Sequence, residues 1–207
     1  MNYDPELFRG VHECRLCKLS ELRLESGMLA VPGLPGSKYQ PGGLAVIAEA
    51  PGADEEQAGT PLVGKAGKLF NEMLTRAMVQ RDGSLLLNRI RCRPPANRIK
   101  DWPEAVSNCD VWTASELRTY QPLVVVLLGA TAISGIFGAK AKVGTTRGTF
   151  TSKGDGHAWG ARTYTATYHP SAVLRNGGIN SELATQVIAD LKAAEQVRLE
   201  LLAGKPF

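Results

Sequence analysis

"LAVIAEAPGADEEQAGTPLVGKAG", residues 44–67, decides how this chain folds. Its apolar opening, 44–50, has the length and character of a strand buried on both faces. The run ends in Glu49-Ala50-Pro51-Gly52, and Gly59, Gly64 and Gly67 follow. Leu69, Phe70, Met73, Leu74, Ala77 and Met78 then recur at helical spacing, which predicts an amphipathic helix over 65–80. Strand, glycine-rich loop and helix in succession are the repeating unit of an α/β sheet.

The same alternation continues outward. "SLLLNRIRC" (84–92), "LVVVLLG" (123–129) and "TYTATYHP" (163–170) read as further strands, the second most strongly. Helices are expected over 5–24, from Pro103 to about Tyr120, over the short "ATAISGIFG" ended by Gly138, and over about 180–203. Residues 27–43 read as a Gly- and Pro-rich loop, and 139–162 as irregular and basic, with a strand at "GTFTS". The expectation is a mostly parallel sheet with helices on both sides. Ligands bind outside the carboxyl ends of such strands. Segments 49–67, 88–98 and 169–176 all follow strands, so a parallel sheet gathers them on one edge.

Composition sets the bounds. At 207 residues one domain over 1–207 is expected. No apolar run approaches the roughly 20 residues that span a bilayer, and "MNYDPELFRG" has no signal-peptide character, so an intracellular, cytoplasmic protein without a membrane partner is expected. A monomer is expected. The formal charge of +4 permits a nucleic-acid partner without demanding one.

Four cysteines occur. Cys14 and Cys17 form C-x-x-C, and Cys92 and Cys109 follow far downstream. Four thiolates suit either zinc or an iron–sulfur cluster, and spacing alone does not separate the two; a redox C-x-x-C with two buried cysteines is the plainer alternative.

Three segments carry candidate chemistry. In the first loop no G-x-G-x-x-G occurs, and Gly59-x4-Gly64-Lys65 is followed by Ala66 where a phosphate-binding loop needs Ser or Thr, so phosphate hydrolysis is disfavoured. Asn88 ends an apolar strand, and its amide offers one acceptor and two donors. Uracil's N3–H and O4 match that pair, whereas cytosine reverses both. In "YHPSAVLRN", His169 stands before Pro170 and so on extended backbone. An imidazole there can donate to an oxygen gaining negative charge. Ser171 and Arg175 suit phosphates, and Leu174 suits a wedge in a base stack.

At these residues the chain resembles the uracil-DNA glycosylase superfamily, and within it the family 4 iron–sulfur enzymes. The resemblance runs through C-x-x-C, "AEAPGADEE", "GTPLVGKAG", "NRIRCRPPANR", Cys109, "VVVLLGATA" and "HPSAVLR", in family order. It implies a three-layer α/β/α sandwich around a four-stranded, mostly parallel sheet. It implies a [4Fe–4S] cluster on Cys14, Cys17, Cys92 and Cys109, structural rather than redox-active. It implies excision of uracil from DNA at the start of base excision repair. Glu49, Ala50, Pro51 and Gly52 correspond to the motif that supplies backbone groups to uracil. Glu55 stands where the family has an acidic residue that positions or activates water. Asn88 corresponds to the base reader, His169 to the group that stabilises O2, and Ser171, Leu174 and Arg175 to the DNA grip.

Two positions depart from that pattern. Leu62 replaces the usual Phe that stacks on uracil, and Ala48 replaces a Gly. The first predicts weaker base binding or altered preference. It keeps two alternatives in view: a weakly active relative that binds uracil-containing or single-stranded DNA, and a glycosylase for hypoxanthine or xanthine. An Arg-rich insertion that accompanies covalent trapping in one branch is missing around His157.

Overall fold

The computed structural model describes residues 3–154 and 156–205. Its strands are β1 (Leu34–Pro35), β2 (Leu44–Ala48), β3 (Ser84–Asn88), β4 (Val124–Leu128), β5 (Phe150–Lys153) and β6 (Arg162–Thr167). They form one sheet in the order β1-β3-β2-β4-β6-β5. The four central strands are parallel, as Ala48 opposite Asn88 and Leu128 opposite Thr167 illustrate. The sheet is larger than the four strands expected. Short β1 and β5 add one antiparallel partner to each edge. β5 falls at the strand expected at "GTFTS", whereas two-residue β1 lies in the segment 27–43 expected to be loop.

The helices are α1 (Pro5–Glu13), α2 (Lys18–Glu25), α3 (Ala53–Ala58), α4 (Lys65–Arg76), α5 (Pro103–Asn108), α6 (Asp110–Tyr120), α7 (Gly129–Phe137), α8 (Val143–Thr146), α9 (Pro170–Arg175) and α10 (Glu182–Leu202). Alternate strand residues divide the core. Leu44, Val46, Val124 and Val126 pack with α4 and α10 on one face. Ala45, Ile47, Val125 and Leu127 pack with α6 and α7 on the other. Every residue of β2 and β4 is buried, and each buried Val, Leu or Ile contributes roughly 1.5–3 kcal/mol. A smaller cluster joins Val11 and Leu19 of the first two helices to Ile90, Cys92, Ala105 and Cys109.

Several expected boundaries change: the helix expected from Pro103 to about Tyr120 is two, α5 and α6, meeting at Cys109, and the one expected over 65–80 ends at Arg76. The helix expected over 5–24 is two helices, with Cys14 and Cys17 in the extended link. The cause is Ser20, whose hydroxyl accepts from the Cys17 N–H and donates to the Cys17 carbonyl, so α2 begins after Cys17. The strand expected over 84–92 stops at Asn88. Beyond it, the Arg89 and Ile90 N–H groups donate to the Ala48 and Glu49 carbonyls across the end of β2. Finally, the segment after His169 is not wholly irregular: Pro170 opens helix α9 with His169 as its N-cap.

Candidate active site

The parallel register puts the carboxyl ends of β2, β3, β4 and β6 on one edge, and a cleft of about 670 Å³ opens there. Glu49, Ala50, Pro51, Gly52, Glu55 and Leu62 line it from the first loop. Asn88 enters from β3, and His169, Ser171, Leu174 and Arg175 from the β6 end and α9. The three segments expected to meet do meet, and every residue singled out for base, catalysis or DNA lies on this one hollow. Gly129 permits it: its φ of +81° suits glycine, and a Cβ there would stand 3.0 Å from the Cβ of His169.

Glu55 braces the first loop. Its Oε2 accepts from the Gly52 N–H at 3.0 Å, and Oε1 accepts from the N–H groups of Val63 (3.0 Å) and Gly64 (2.8 Å). One carboxylate therefore fastens the two halves of the 49–67 loop. Leu62 sits between them at φ +55° and is 4% exposed, part cleft wall and part core. Its backbone passes so close to Gly67 that any Cβ at 67 would fall 2.0 Å from the Leu62 carbonyl oxygen.

Asn88 is 2% exposed, and its buried Nδ2 has no hydrogen-bond partner among the described residues. Such a donor costs about 1–3 kcal/mol unless something meets it. The next residue is anchored hard. Arg89 pairs with Asp110 through two hydrogen bonds of 2.9 and 2.8 Å and donates to the Thr131 carbonyl and the Ser134 hydroxyl. Thr131 in turn donates from its hydroxyl to Glu49. None of these supports was legible in sequence, because each partner comes from a different element.

His169 caps its own helix. The Ser171 N–H donates to Nδ1 at 3.2 Å, and the Ser171 hydroxyl lies 2.8 Å from the same atom. A backbone N–H can only donate, so Nδ1 is the acceptor and the neutral ring carries its proton on Nε2. Burial, reinforced by the Arg175 charge and partly offset by Glu55, lowers the His169 pKa to about 4. Leu174 is 41% exposed and Arg175 is exposed beside it, at the rim. His157 is engaged elsewhere: its Nδ1 accepts from the Trp159 N–H at 3.1 Å.

Cys92, Cys109 and Cys17 pack together away from the cleft, between α1, α2, the Asn88 strand end and α5, and Cys14 joins them through Trp112, whose indole N–H it accepts. Cys92 and Cys109 are buried, with thiol pKa values pushed up to about 12 and about 11 by burial. Cys109 and Cys17 add to the rise at Cys92, and Cys17 and Cys14 to that at Cys109. Cys92 thus lies within electrostatic reach of Cys17 and Cys109, and Cys109 of Cys14 and Cys17. Among the described residues no three His, Cys, Asp or Glu side chains close around a single ion.

Comparison with known proteins agrees with this geometry. The model of the uracil DNA glycosylase superfamily matches residues 41–192. A type-4 uracil-DNA glycosylase of Archaeoglobus fulgidus is 34% identical over 86% of this chain and 86% of its own length. One from Pyrobaculum aerophilum is 34% identical over 86% and 87%, and one from Thermotoga maritima 34% over 73% and 76%. With the cleft at the strand ends and this similarity along most of its length, the chain belongs to the uracil DNA glycosylase superfamily.

Proposed function

We propose that this enzyme extrudes uracil from DNA into the cleft and hydrolyses its N-glycosidic bond. The observation that carries the reading is the unpartnered Nδ2 of Asn88 at the cleft wall. A flipped uracil supplies what that amide lacks: O4 accepts from Nδ2–H while the amide oxygen accepts from N3–H. Cytosine presents the opposite pair and leaves both groups unmet. The loop at 49–52 forms the adjoining wall.

As the C1′–N1 bond breaks, its electrons pass to the uracil ring and gather on O2. His169 is neutral at pH 7 and donates from Nε2 to that oxygen. The sugar becomes cationic, and the Glu55 carboxylate, held by three N–H groups, supplies a fixed negative charge to the cleft. Water bonds to C1′, and its proton leaves to the uracil anion. Ser171 spends its hydroxyl proton on Nδ1 and so orients His169, leaving the phosphate grip to Arg175; Leu174, exposed at the rim, fills the vacated stack.

The donor set suits a [4Fe–4S] cluster on Cys14, Cys17, Cys92 and Cys109. It offers four cysteine sulfurs, of which Cys109 feels both Cys14 and Cys17 and Cys92 feels Cys17 and Cys109, and a buried, unpartnered Nε on Arg23, whose charge acts on Cys92. Such a cluster, when bound, supplies a cross-link between the α1–α2 link, the segment after Asn88 and the α5–α6 junction; hydrolysis moves no electrons.

The test is a panel of oligonucleotides bearing uracil, cytosine, thymine, hypoxanthine or xanthine, under single-turnover conditions with iron-loaded protein. Cleavage at uracil alone is expected. Intact uracil DNA overturns the assignment, and cleavage only at a deaminated purine moves it to another base.

A further inference from the structure

We infer that Arg23 is the counter-ion of the cysteine centre: with the Trp112 indole N–H it sets how firmly the cluster is held and the potential at which it is reduced. The inference rests on the cluster reading above.

Three arginines are buried in this part of the molecule. Arg89 holds Asp110 at 2.8 Å and Arg91 holds Glu116 at 2.5 Å. Arg23, 6% exposed on α2, has no carboxylate within ion-pair distance among the described residues. Its Nη2 instead donates to the Cys14 carbonyl at 3.4 Å, and its positive charge acts on the Cys92 thiol, favouring the thiolate. Its Nε is buried and unmet. A buried cation without an anion strongly destabilises a fold, and natural chains rarely keep one. The missing charge has an obvious source here. Metal binding strips the protons from thiols, and four thiolates around a [4Fe–4S] core leave the assembly net negative.

Further N–H groups point at the same sulfurs. Trp112, on α6, donates from Nε1 to Cys14 Sγ at 3.2 Å. The Arg91 backbone N–H favours the charged form of the Cys109 thiol. Hydrogen bonds to cluster sulfurs and nearby charge are what set a cluster's potential. Among the described residues Cys14 Sγ is the one hydrogen-bond partner of the Trp112 indole N–H, and an indole N–H that is partly buried seeks one.

The experiment compares wild type with Arg23→Gln, Arg23→Lys and Trp112→Phe, all purified without oxygen. It reads iron and sulfide content, the rate of iron loss to a chelator, and the midpoint potential from the visible thiolate-to-iron absorption. In Arg23→Gln, iron loss at least roughly tenfold faster and a potential shifted to more negative values are expected, since a positive charge and its N–H donors have gone. Arg23→Lys should fall between, and Trp112→Phe should keep its iron but shift in the same direction. Variants whose iron loss and potential match wild type overturn the inference. Should Arg23→Gln fail to fold, Arg23→Lys and Trp112→Phe decide on the same two readouts. Wild type without stoichiometric iron overturns the cluster reading itself, and the role of Arg23 with it; a loaded wild type with indifferent variants overturns only the latter.

Discussion

The Ser171 N–H donates to Nδ1 of His169 at 3.2 Å, and this contact fixes which end of the imidazole faces the cleft chemistry. With Nδ1 occupied as acceptor, Nε2 holds the proton, and the ring is a neutral donor. Its pKa of about 4 lies below the ordinary 6.5. Between those values the unfolded chain binds more protons than the folded one, so this group's contribution to stability is present above 6.5 and is lost as pH falls toward 4. Excision rate should therefore stay flat from about pH 8 to about pH 5 and fall only near 4. A single-turnover pH profile checks this, and an acid limb centred at 6.5 contradicts it. His169→Ala should lower the rate at least about a hundredfold with DNA affinity little changed, in line with the loss of one oxyanion donor.

Asn88→Asp replaces the donor facing O4 with an acceptor. The uracil rate should fall roughly tenfold to a hundredfold, the equivalent of about 1–3 kcal/mol for one mismatched buried polar group. Paired rates on uracil and cytosine oligonucleotides measure the choice. Full selectivity retained in the variant would place base reading on some other group.

Much of this site was legible before any coordinates. The runs at 44–50, 84–92 and 123–129 announce parallel strands, and the parallel-sheet rule then brings Glu49, Asn88 and His169 to one edge. What stayed hidden depends on contacts between distant elements. Nothing local marks Thr131 as the partner of Glu49 or Asp110 as the anchor of Arg89. Edge strand β1 has two residues, too few for any periodicity. The helix expected over 5–24 breaks between α1 and α2 because the Ser20 hydroxyl bonds both backbone groups of Cys17, a contact that residue periodicity does not reveal.

Gly67→Ala tests the packing beneath the base pocket. The added methyl would lie 2.0 Å from the Leu62 carbonyl oxygen, and backbone does not yield as a flexible side chain does. Overpacking of this kind costs about 3 kcal/mol. Thermal unfolding should drop by roughly 6–12 °C for a chain of this size, and excision should fall with it because Leu62 must shift. An unchanged melting temperature would show that the loop relaxes freely.

Leu62→Phe restores an aromatic face to the cleft wall. Stacking on an aromatic contributes about 1–3 kcal/mol per base, so kcat/KM for uracil should rise several-fold. Stability should fall slightly, since Leu62 is also core and already at positive φ. Lower uracil activity with intact folding would mean that the pocket is shaped for a different base, and the same variant run on hypoxanthine and xanthine would identify it.

Glu55→Gln separates brace from charge. The carboxylate accepts three N–H bonds, two at Oε1 and one at Oε2. An amide keeps one oxygen and turns an NH2 group toward a backbone donor, which costs about 1–3 kcal/mol. It also removes the anion that faces the cationic sugar. Both effects should appear together: a melting temperature lower by roughly 2–12 °C and an excision rate lower by at least about tenfold. Rate loss at an unchanged melting temperature would confine Glu55 to electrostatics or water handling. A lower melting temperature at full rate would make it a loop fastener alone, and the negative charge for the sugar would then have to come from Glu49 or Asp54, which line the same cleft.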